Sequence, residues 1–102
     1  MNYYYVYILK CSDDSYYTGV TNNPNRRLAE HMDGKNPESY TFSRRPVEIV
    51  YSEYFTDPNE AIVWEKKIKG WSRRKKEALI NDDYGSLVEF SKRHKTYQRK
   101  IK

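Results

Sequence analysis

Two tyrosine-rich segments separated by a short polar turn constrain the fold more than any other part of this sequence. In residues 3–11 successive side chains fall on two faces, and each face contains aromatic and aliphatic residues. This is the period of two that a β-strand requires. Residues 16–20 follow after a turn at residues 12–15, where Ser and Asp side chains bond readily to the local backbone. Because so short a connection joins antiparallel strands, we predict a β-hairpin over residues 3–20.

The register of this hairpin decides which tyrosines can act together. If paired residue numbers add up to 26, Tyr7 lies opposite Gly19 and Tyr17 lies opposite Leu9. The two tyrosines are then diagonal neighbours on one face of the sheet, and Gly19 leaves space beside the Tyr7 ring. A register shifted by one residue would place the two rings on opposite faces.

A helix follows the hairpin and brings two polar side chains to one face. Asn23 is a typical N-cap residue, Pro24 suits the first helical position, and Gly34 is a typical C-terminal stop. Arg27 and His31 are four residues apart, so they lie on the same side of this helix. The segment beyond Gly34, up to Arg45, is interpreted as a polar and exposed loop.

A third strand and a second helix come next. The strand begins after Pro46, and its alternation predicts one face with Val47, Ile49 and Tyr51 and the other with Glu48 and Val50. Asp57 then caps a helix that has proline in its first turn and ends at Gly70.

The C-terminal part is predicted to be helical and basic. Ser72 caps a helix over residues 73–81, and a last short helix starting at Ser86 leads into a basic tail. We expect one domain over residues 1–82, with residues 83–102 as a C-terminal helix or tail that belongs to the same domain or is partly disordered.

Charge is distributed unevenly along the chain. The net charge is +5, but residues 1–65 carry six Lys and Arg against ten Asp and Glu, a net −4. Residues 66–102 carry thirteen against four, a net +9. This asymmetry favours a polyanionic partner, most often a nucleic acid, over a basic face kept only for solubility. The best candidates for phosphate contacts are Lys66, Lys67, Lys69, Arg73, Arg74, Lys75 and Lys76.

Composition also limits the compartment. Cys11 is the single cysteine, so no internal disulfide can form and a reducing compartment is expected. The sequence has no apolar run approaching the length of about 18 residues that a membrane-spanning helix needs, and no leader pattern at its start. We therefore expect a cytoplasmic protein that does not contact membranes.

The order and spacing of four motifs resemble those of the GIY-YIG endonuclease superfamily. YVY at residues 5–7 and YTG at residues 17–19 match its two tyrosine motifs, and Arg27 matches its arginine. EAIVWE at residues 60–65 resembles its metal-binding helix, and KIKGWSR at residues 67–73 resembles its small stand-alone bacterial branch. The chain differs from the motifs in having Tyr5 for the first glycine and Thr18 for the isoleucine.

This resemblance implies both a fold and an activity. The implied fold is α/β of the α+β type, a small three-stranded antiparallel sheet flanked by helices. The implied activity is hydrolysis of nucleic-acid phosphodiester bonds with one divalent ion, Mg²⁺ or Mn²⁺. The implied site residues are Tyr7, Tyr17, Arg27 and His31 as the catalytic set and Glu65 as the metal ligand.

The chemistry of these residue types suits that reaction. Arg27 is always protonated and can hold a phosphate in a two-pronged contact. A hard divalent cation suits a lone carboxylate because it keeps several waters and takes a phosphate oxygen. Tyr17 is the favoured general base, with Tyr7 and His31 ordering it or the water, although a tyrosine pKa near 10 then requires a nearby cation. His31 is the alternative base, because its pKa lies closer to neutrality.

The sequence thus predicts a metal-dependent endonuclease, with DNA favoured over RNA as the substrate, in a nicking or repair-like role. Two alternatives remain open at this point. In the first, the chain is a nucleic-acid-binding module that keeps the fold but lacks useful turnover. In the second, it is a nuclease subunit that needs a protein partner for targeting.

Overall fold

A computed structural model describes residues 2–82, which form a three-stranded sheet and three helices. The strands pair antiparallel in the order β2-β1-β3, which confirms the predicted fold class. The last short helix predicted from Ser86 and the basic tail lie outside the described residues. The elements are β1 (Tyr4–Cys11), β2 (Tyr16–Thr21), α1 (Pro24–Asp33), a 3-10 turn (Phe42–Arg44), β3 (Val47–Phe55), α2 (Pro58–Lys69) and α3 (Arg73–Ile80).

The hairpin has the register on which the site prediction depends. Tyr7 pairs with Gly19, and Leu9 pairs with Tyr17. Since side chains two residues apart on a strand share a face, Tyr7 and Tyr17 lie on the same side of the sheet. We call this side the tyrosine face.

The third strand departs from the predicted alternation because it contains a bulge. Ile8 pairs with Tyr51, whereas the next residue of β1, Leu9, pairs with Ile49. Val50 is therefore the extra residue, and a bulge of this kind reverses the side to which the following side chains point. The expectation that Tyr51 shares a face with Ile49 is wrong: Tyr51 lies on the side opposite the tyrosine face.

Both sides of the sheet are covered. On the tyrosine face, the buried side chains of Tyr7, Leu9, Cys11 and Val47 form a cluster against which Leu28 of α1 packs. On the other side, the Trp64 indole of α2 donates a hydrogen bond of 3.0 Å to the Tyr51 hydroxyl. The Tyr51 hydroxyl in turn donates 2.6 Å to the Glu53 carboxylate, which is only 2% exposed. This polar chain under the helix satisfies a carboxylate that burial would otherwise penalise.

The helix starts follow the predicted capping residues. The Asn23 side chain accepts a bond from the Arg26 N–H, the Asp57 side chain from the Asn59 N–H, and the Ser72 side chain from the Lys75 N–H. These bonds satisfy orphan donors in the first turns of α1, α2 and α3.

The chain divides into two compact units, of which the first comprises residues 1–70 and the second begins at Trp71. The first unit holds the sheet with α1 and α2, and the second holds α3. The expected domain boundary after residue 82 remains a prediction. Within residues 2–82, no helix is both long enough and apolar enough to cross a membrane.

Candidate active site

Tyr7 is the buried centre of the candidate site, at only 1% exposure. Its ring lies directly over Gly19, where the Cβ of any other residue would come within 2.6 Å of the phenolic oxygen. A larger residue at this position would therefore push the ring away. The glycine thus serves a close approach, which is the role that its place in the strand predicted.

Three rings meet on the tyrosine face. The centroids of Tyr7 and Tyr17 are 6.3 Å apart, and the His31 ring from α1 lies 6.3 Å from Tyr7 and 5.3 Å from Tyr17. All three distances fall within the range of favourable tilted aromatic contacts. Three of the four predicted catalytic side chains are therefore in mutual contact.

A line of hydrogen bonds runs from Tyr7 through His31. The Tyr7 hydroxyl lies 3.2 Å from His31 Nε2, and His31 Nδ1 lies 2.7 Å from the Thr41 hydroxyl. Burial, with a smaller contribution from Tyr17, raises the pKa of Tyr7 to about 12, so its hydroxyl keeps the proton and donates it to Nε2. His31 Nδ1–H must then donate to Thr41, which assigns the tautomer from the network.

His31 is neutral in this arrangement for two physical reasons. Burial lowers its pKa, and the positive charge of Arg27 lowers it further, against a smaller opposing effect of Glu30. A neutral imidazole can accept a proton, whereas the imidazolium cannot.

Arg27 completes the cluster from the same side of α1 as His31. Its charge acts on both Tyr7 and His31. Its Nε lies 3.1 Å from a Glu30 carboxylate oxygen, but this buried Nε has no partner in hydrogen-bond geometry within the part of the chain described. The Arg27 side chain is 40% exposed, so its charge is accessible to an anion arriving from solvent.

The segment predicted to be a polar, exposed loop supplies two side chains that the sequence interpretation missed. Thr41 is fully buried and holds His31, as described above. The Tyr40 ring stacks on Tyr17 with centroids 6.0 Å apart, and the Arg44 guanidinium lies 3.9 Å from the Tyr40 centroid. The interpretation was wrong for Thr41, because irregular backbone carries no periodic signal and long-range contacts decide its burial, whereas Tyr40 is 42% exposed as predicted.

Glu65, the predicted metal ligand, lies on α2 and is buried at 8% exposure. Its Oε2 is 2.6 Å from the ammonium of Lys69, one helical turn further on. The pKa of Lys69 is raised, first by this hydrogen bond and further by the negative charge of Glu65. The counter-charge of Glu65 is therefore the Lys69 ammonium of the same helix.

The donor set fits a weakly protein-bound hard cation. Among residues 2–82, no three His, Cys, Asp or Glu side chains come together as a metal-binding group. Mg²⁺ does not need such a group, because it commonly keeps several waters and binds through one or two carboxylates and a substrate phosphate. Glu65 is a buried carboxylate whose oxygen already bonds to a cation, so its chemistry suits that role.

The seven predicted phosphate-contacting residues differ in exposure. Six side chains reach solvent to some degree, whereas Lys75 is only 8% exposed and its ammonium lies 4.2 Å from the centroid of the Trp71 ring. A cation held over an indole is a packing interaction, so Lys75 is the least suited of the set to a phosphate contact. The exposed members are Lys66, Lys67, Lys69, Arg73 and Arg74, with Lys76 half-buried.

Comparison with known families and proteins places these residues in context. The family model of the GIY-YIG catalytic domain matches residues 3–78. A UPF0213 protein of Natronomonas pharaonis is 46% identical over 82 residues, which cover 80% of this chain and 95% of that protein. A UPF0213 protein of Staphylococcus haemolyticus is 47% identical over 79 residues, 78% of this chain and 95% of that protein.

Two solved structures have the same fold. The solution NMR structure of a UPF0213 protein from Bacillus halodurans aligns with a TM-score of 0.52 at 44% identity, covering 78% of this chain and 83% of that one. The solution NMR structure of a protein from E. faecalis aligns with a TM-score of 0.57 at 31% identity, covering 100% of this chain and 97% of that one.

Proposed function

The chain belongs to the GIY-YIG catalytic-domain family, and from this premise we propose that it is a divalent-metal-dependent endonuclease that cleaves DNA in preference to RNA. The family implies a nuclease, a nucleic-acid substrate and the use of divalent metal ions. The observation that carries the proposal for this chain is the contact of Tyr7, Tyr17 and His31 on one sheet face, with the charge of Arg27 acting on the cluster.

Arg27 is the proposed phosphate-binding residue. Its guanidinium is partly exposed and its buried Nε lacks a hydrogen-bond partner within residues 2–82. A phosphate oxygen bound to the exposed part of this guanidinium would bring its positive charge to the scissile group, where negative charge develops during hydrolysis.

Glu65 is the proposed ligand of a single ion, Mg²⁺ or Mn²⁺. When bound, such an ion polarises a phosphoryl oxygen and lowers the pKa of a coordinated water. The chain would contribute one buried carboxylate to the ion. Water and phosphate would fill the remaining coordination positions.

The proton acceptor is the role for which the sequence left two candidates. The hydrogen bond from the Tyr7 hydroxyl to His31 Nε2 supports His31. In this assignment the Tyr7 oxygen takes a proton from the attacking water as its own proton passes to Nε2, which avoids a free phenolate at a pKa of about 12. Tyr17, which the sequence favoured as the base, lies between His31 and Tyr40 and becomes the alternative acceptor in this assignment.

Nicking of supercoiled plasmid tests the proposal directly. Wild-type protein with Mg²⁺ or Mn²⁺ is expected to convert supercoiled DNA to nicked or linear forms, and chelation should stop the reaction. Arg27→Ala and Glu65→Ala should each abolish cleavage while the circular dichroism spectrum stays that of a folded protein. Lys35→Ala, an exposed loop position, is the matched control and should cleave normally.

Two other results would overturn the proposal in different ways. Salt-sensitive binding of DNA without cleavage under any metal condition would identify a nucleic-acid-binding module. Cleavage that appears only after addition of cell extract would identify a subunit that depends on a protein partner. Equal cleavage of matched RNA would contradict the DNA preference.

The proposed compartment is the cytoplasm. Cys11 is buried at 3% exposure on β1 and burial raises its pKa, so it is an inert packing residue rather than half of a disulfide or a nucleophile. A chain that uses no disulfide suits a reducing environment.

A further inference from the structure

Glu65 is paired with the ammonium of Lys69, one helical turn further along α2. Glu65 is 8% exposed, and a buried carboxylate without a counter-charge is strongly disfavoured. Lys69 supplies the counter-charge through a contact of 2.6 Å to Oε2, the length of a strong charge-assisted hydrogen bond.

The position and exposure of Lys69 allow its ammonium to bind this oxygen and also to move away from it. Lys69 follows Glu65 by four residues, so the two side chains lie on the same helical face. The Lys69 side chain is 54% exposed, in contrast to the 10% of Glu65, so only its ammonium is engaged and its stem is free to swing into solvent.

We propose that Lys69 is an exchangeable counter-ion of Glu65, which holds the carboxylate in the metal-free protein and is displaced when the divalent ion binds. This inference rests on the proposed function, since it takes Glu65 as the metal ligand. An ammonium bonded to Oε2 and a hydrated dication on the same carboxylate repel each other at contact distance, so occupation by one disfavours the other.

The exchange has a consequence for substrate binding. Once displaced, the Lys69 ammonium no longer has Glu65 as its partner, and its side chain is 54% exposed. It can then contact a phosphate of the nucleic acid. Loading of the ion and binding of the substrate are thereby coupled through one side chain, without a conformational change of the backbone.

Metal binding to the free protein tests the exchange without any measurement of activity. Lys69→Met keeps the length of the side chain and removes its charge, and it should bind Mn²⁺ about tenfold more tightly than wild type in calorimetric titration, because no charge-assisted hydrogen bond has to be broken. Lys66→Met is the control, since it removes an equal charge from an exposed position on the same helix. It should change the affinity for Mn²⁺ far less.

Thermal unfolding provides a second measurement, in which the substitution that strengthens Mn²⁺ binding should lower the stability of the metal-free protein. Without metal, Lys69→Met should unfold at a lower temperature than Lys66→Met, because Glu65 has lost its counter-charge. Saturating Mn²⁺ should raise the unfolding temperature of Lys69→Met more than that of wild type. Lys69→Arg keeps the charge and should resemble wild type in both measurements.

The outcomes separate this inference from the proposed function. If Glu65→Gln abolishes Mn²⁺ binding but Lys69→Met binds no more tightly than Lys66→Met, the counter-ion exchange is wrong and Glu65 remains the ligand. If Glu65→Gln binds Mn²⁺ like wild type, the assignment of the ligand fails and the exchange fails with it. Weaker binding by Lys69→Met would mean that the lysine positions the carboxylate, which also contradicts the exchange.

Discussion

At the scale of single residues, Thr18 places a buried hydroxyl group without a hydrogen-bond partner in residues 2–82 at a motif position. Thr18 stands where the family motif has isoleucine, and it is 3% exposed on the side of the sheet opposite Tyr7 and Tyr17. Its hydroxyl has no hydrogen-bond partner among the residues described. A buried hydroxyl left in that state is destabilising, whereas a methyl group in its place would pack.

Thr18→Val is therefore expected to stabilise the protein. Valine keeps the β-branched shape that suits a strand and removes the unpaired hydroxyl, so the free energy of unfolding should rise by about 1 kcal/mol in urea titration. Thr21→Val is the matched control on the same strand, because the Thr21 hydroxyl accepts a bond of 3.1 Å from the Asn23 N–H. That variant should lose stability, and an equal loss in Thr18→Val would show that its hydroxyl is satisfied.

His31 predicts a specific pH dependence of cleavage. Its pKa is lowered by burial and by Arg27, so it is neutral at pH 7 and becomes protonated only below the ordinary histidine value of about 6.5. Protonation removes the acceptor, so cleavage should fall as the pH drops through that lowered pKa. A rate that instead keeps rising toward the tyrosine pKa near 10 would favour Tyr17 as the base. The measurement is the single-turnover rate of wild type and Tyr17→Phe from about pH 5 to about pH 10, a range that spans both ordinary pKa values.

In the proposed site Thr41 is a positioning residue, because its hydroxyl contacts His31 and would act on the substrate only through that side chain. Thr41→Val removes the acceptor of His31 Nδ1–H and should lower the cleavage rate by about tenfold, as expected when a reacting group is slightly misplaced. Thr41→Ser keeps a hydroxyl at the same place and should restore most of the rate. The nitrogen chemical shifts of His31 report the tautomer, and an unchanged tautomer in Thr41→Val would contradict this role.

At the scale of elements, α2 connects the sheet to the proposed metal site. Its inward side is anchored through Trp64 to the Tyr51 hydroxyl and from there to Glu53, while Glu65 is the next residue along the helix. The position of the proposed metal-binding carboxylate therefore depends on a hydrogen bond made on the opposite side of the sheet from the ring cluster. The bulge at Val50 makes this possible, because it turns Tyr51 toward α2.

Trp64→Phe should loosen this anchor. It removes the indole N–H and part of a buried ring, so we expect the free energy of unfolding to drop by about 1–3 kcal/mol in urea titration. Val63→Ala, at a position of the same helix that is 55% exposed, should change stability by less than about 0.5 kcal/mol. Equal effects of the two substitutions would show that the Trp64–Tyr51 bond does not hold the helix.

At the scale of the whole molecule, charge is distributed unevenly along the chain, and we expect this to affect binding of the proposed nucleic-acid substrate. The acidic part, residues 1–65, contains the ring cluster and Glu65. The basic part, residues 66–102, begins immediately after it with Lys66, Lys67 and Lys69. Phosphate contacts release counterions from nucleic acid, so each one adds to the salt dependence of binding without adding sequence preference.

Lys66→Gln combined with Lys67→Gln should reduce that salt dependence. If both lysines contact phosphates of duplex DNA, the slope of log affinity against log salt should become shallower by about 0.9 for each. Fluorescence anisotropy over a series of salt concentrations measures the slope. Lys35→Gln changes an exposed lysine within residues 1–65 and should leave the slope unchanged. An equal change of the slope in Lys35→Gln would point to a diffuse effect of net charge.

Most local elements of this fold are predictable from the sequence, because their signals lie within a few residues. The alternation of residues 3–11, the short turn after them and the caps at Asn23, Asp57 and Ser72 all correspond to the observed strands and helices. The register that brings Tyr7 and Tyr17 to one face was one of two that the local pattern left open, and the strand pairing of the structure decides it. Short-range sterics and hydrogen bonding decide the strands and the caps, so a linear pattern contains them.

Tertiary structure alone decided the features that depend on contacts between distant segments. Nothing near Val50 announces the bulge that turns Tyr51 toward α2, and nothing near Thr41 announces that its hydroxyl meets His31 from the other end of an irregular segment. The spacing of Glu65 and Lys69 is readable as a surface ion pair, but the burial that makes Glu65 need a cation comes from packing. Desolvation and partner choice depend on the whole set of neighbours in space, and a local pattern does not specify that set.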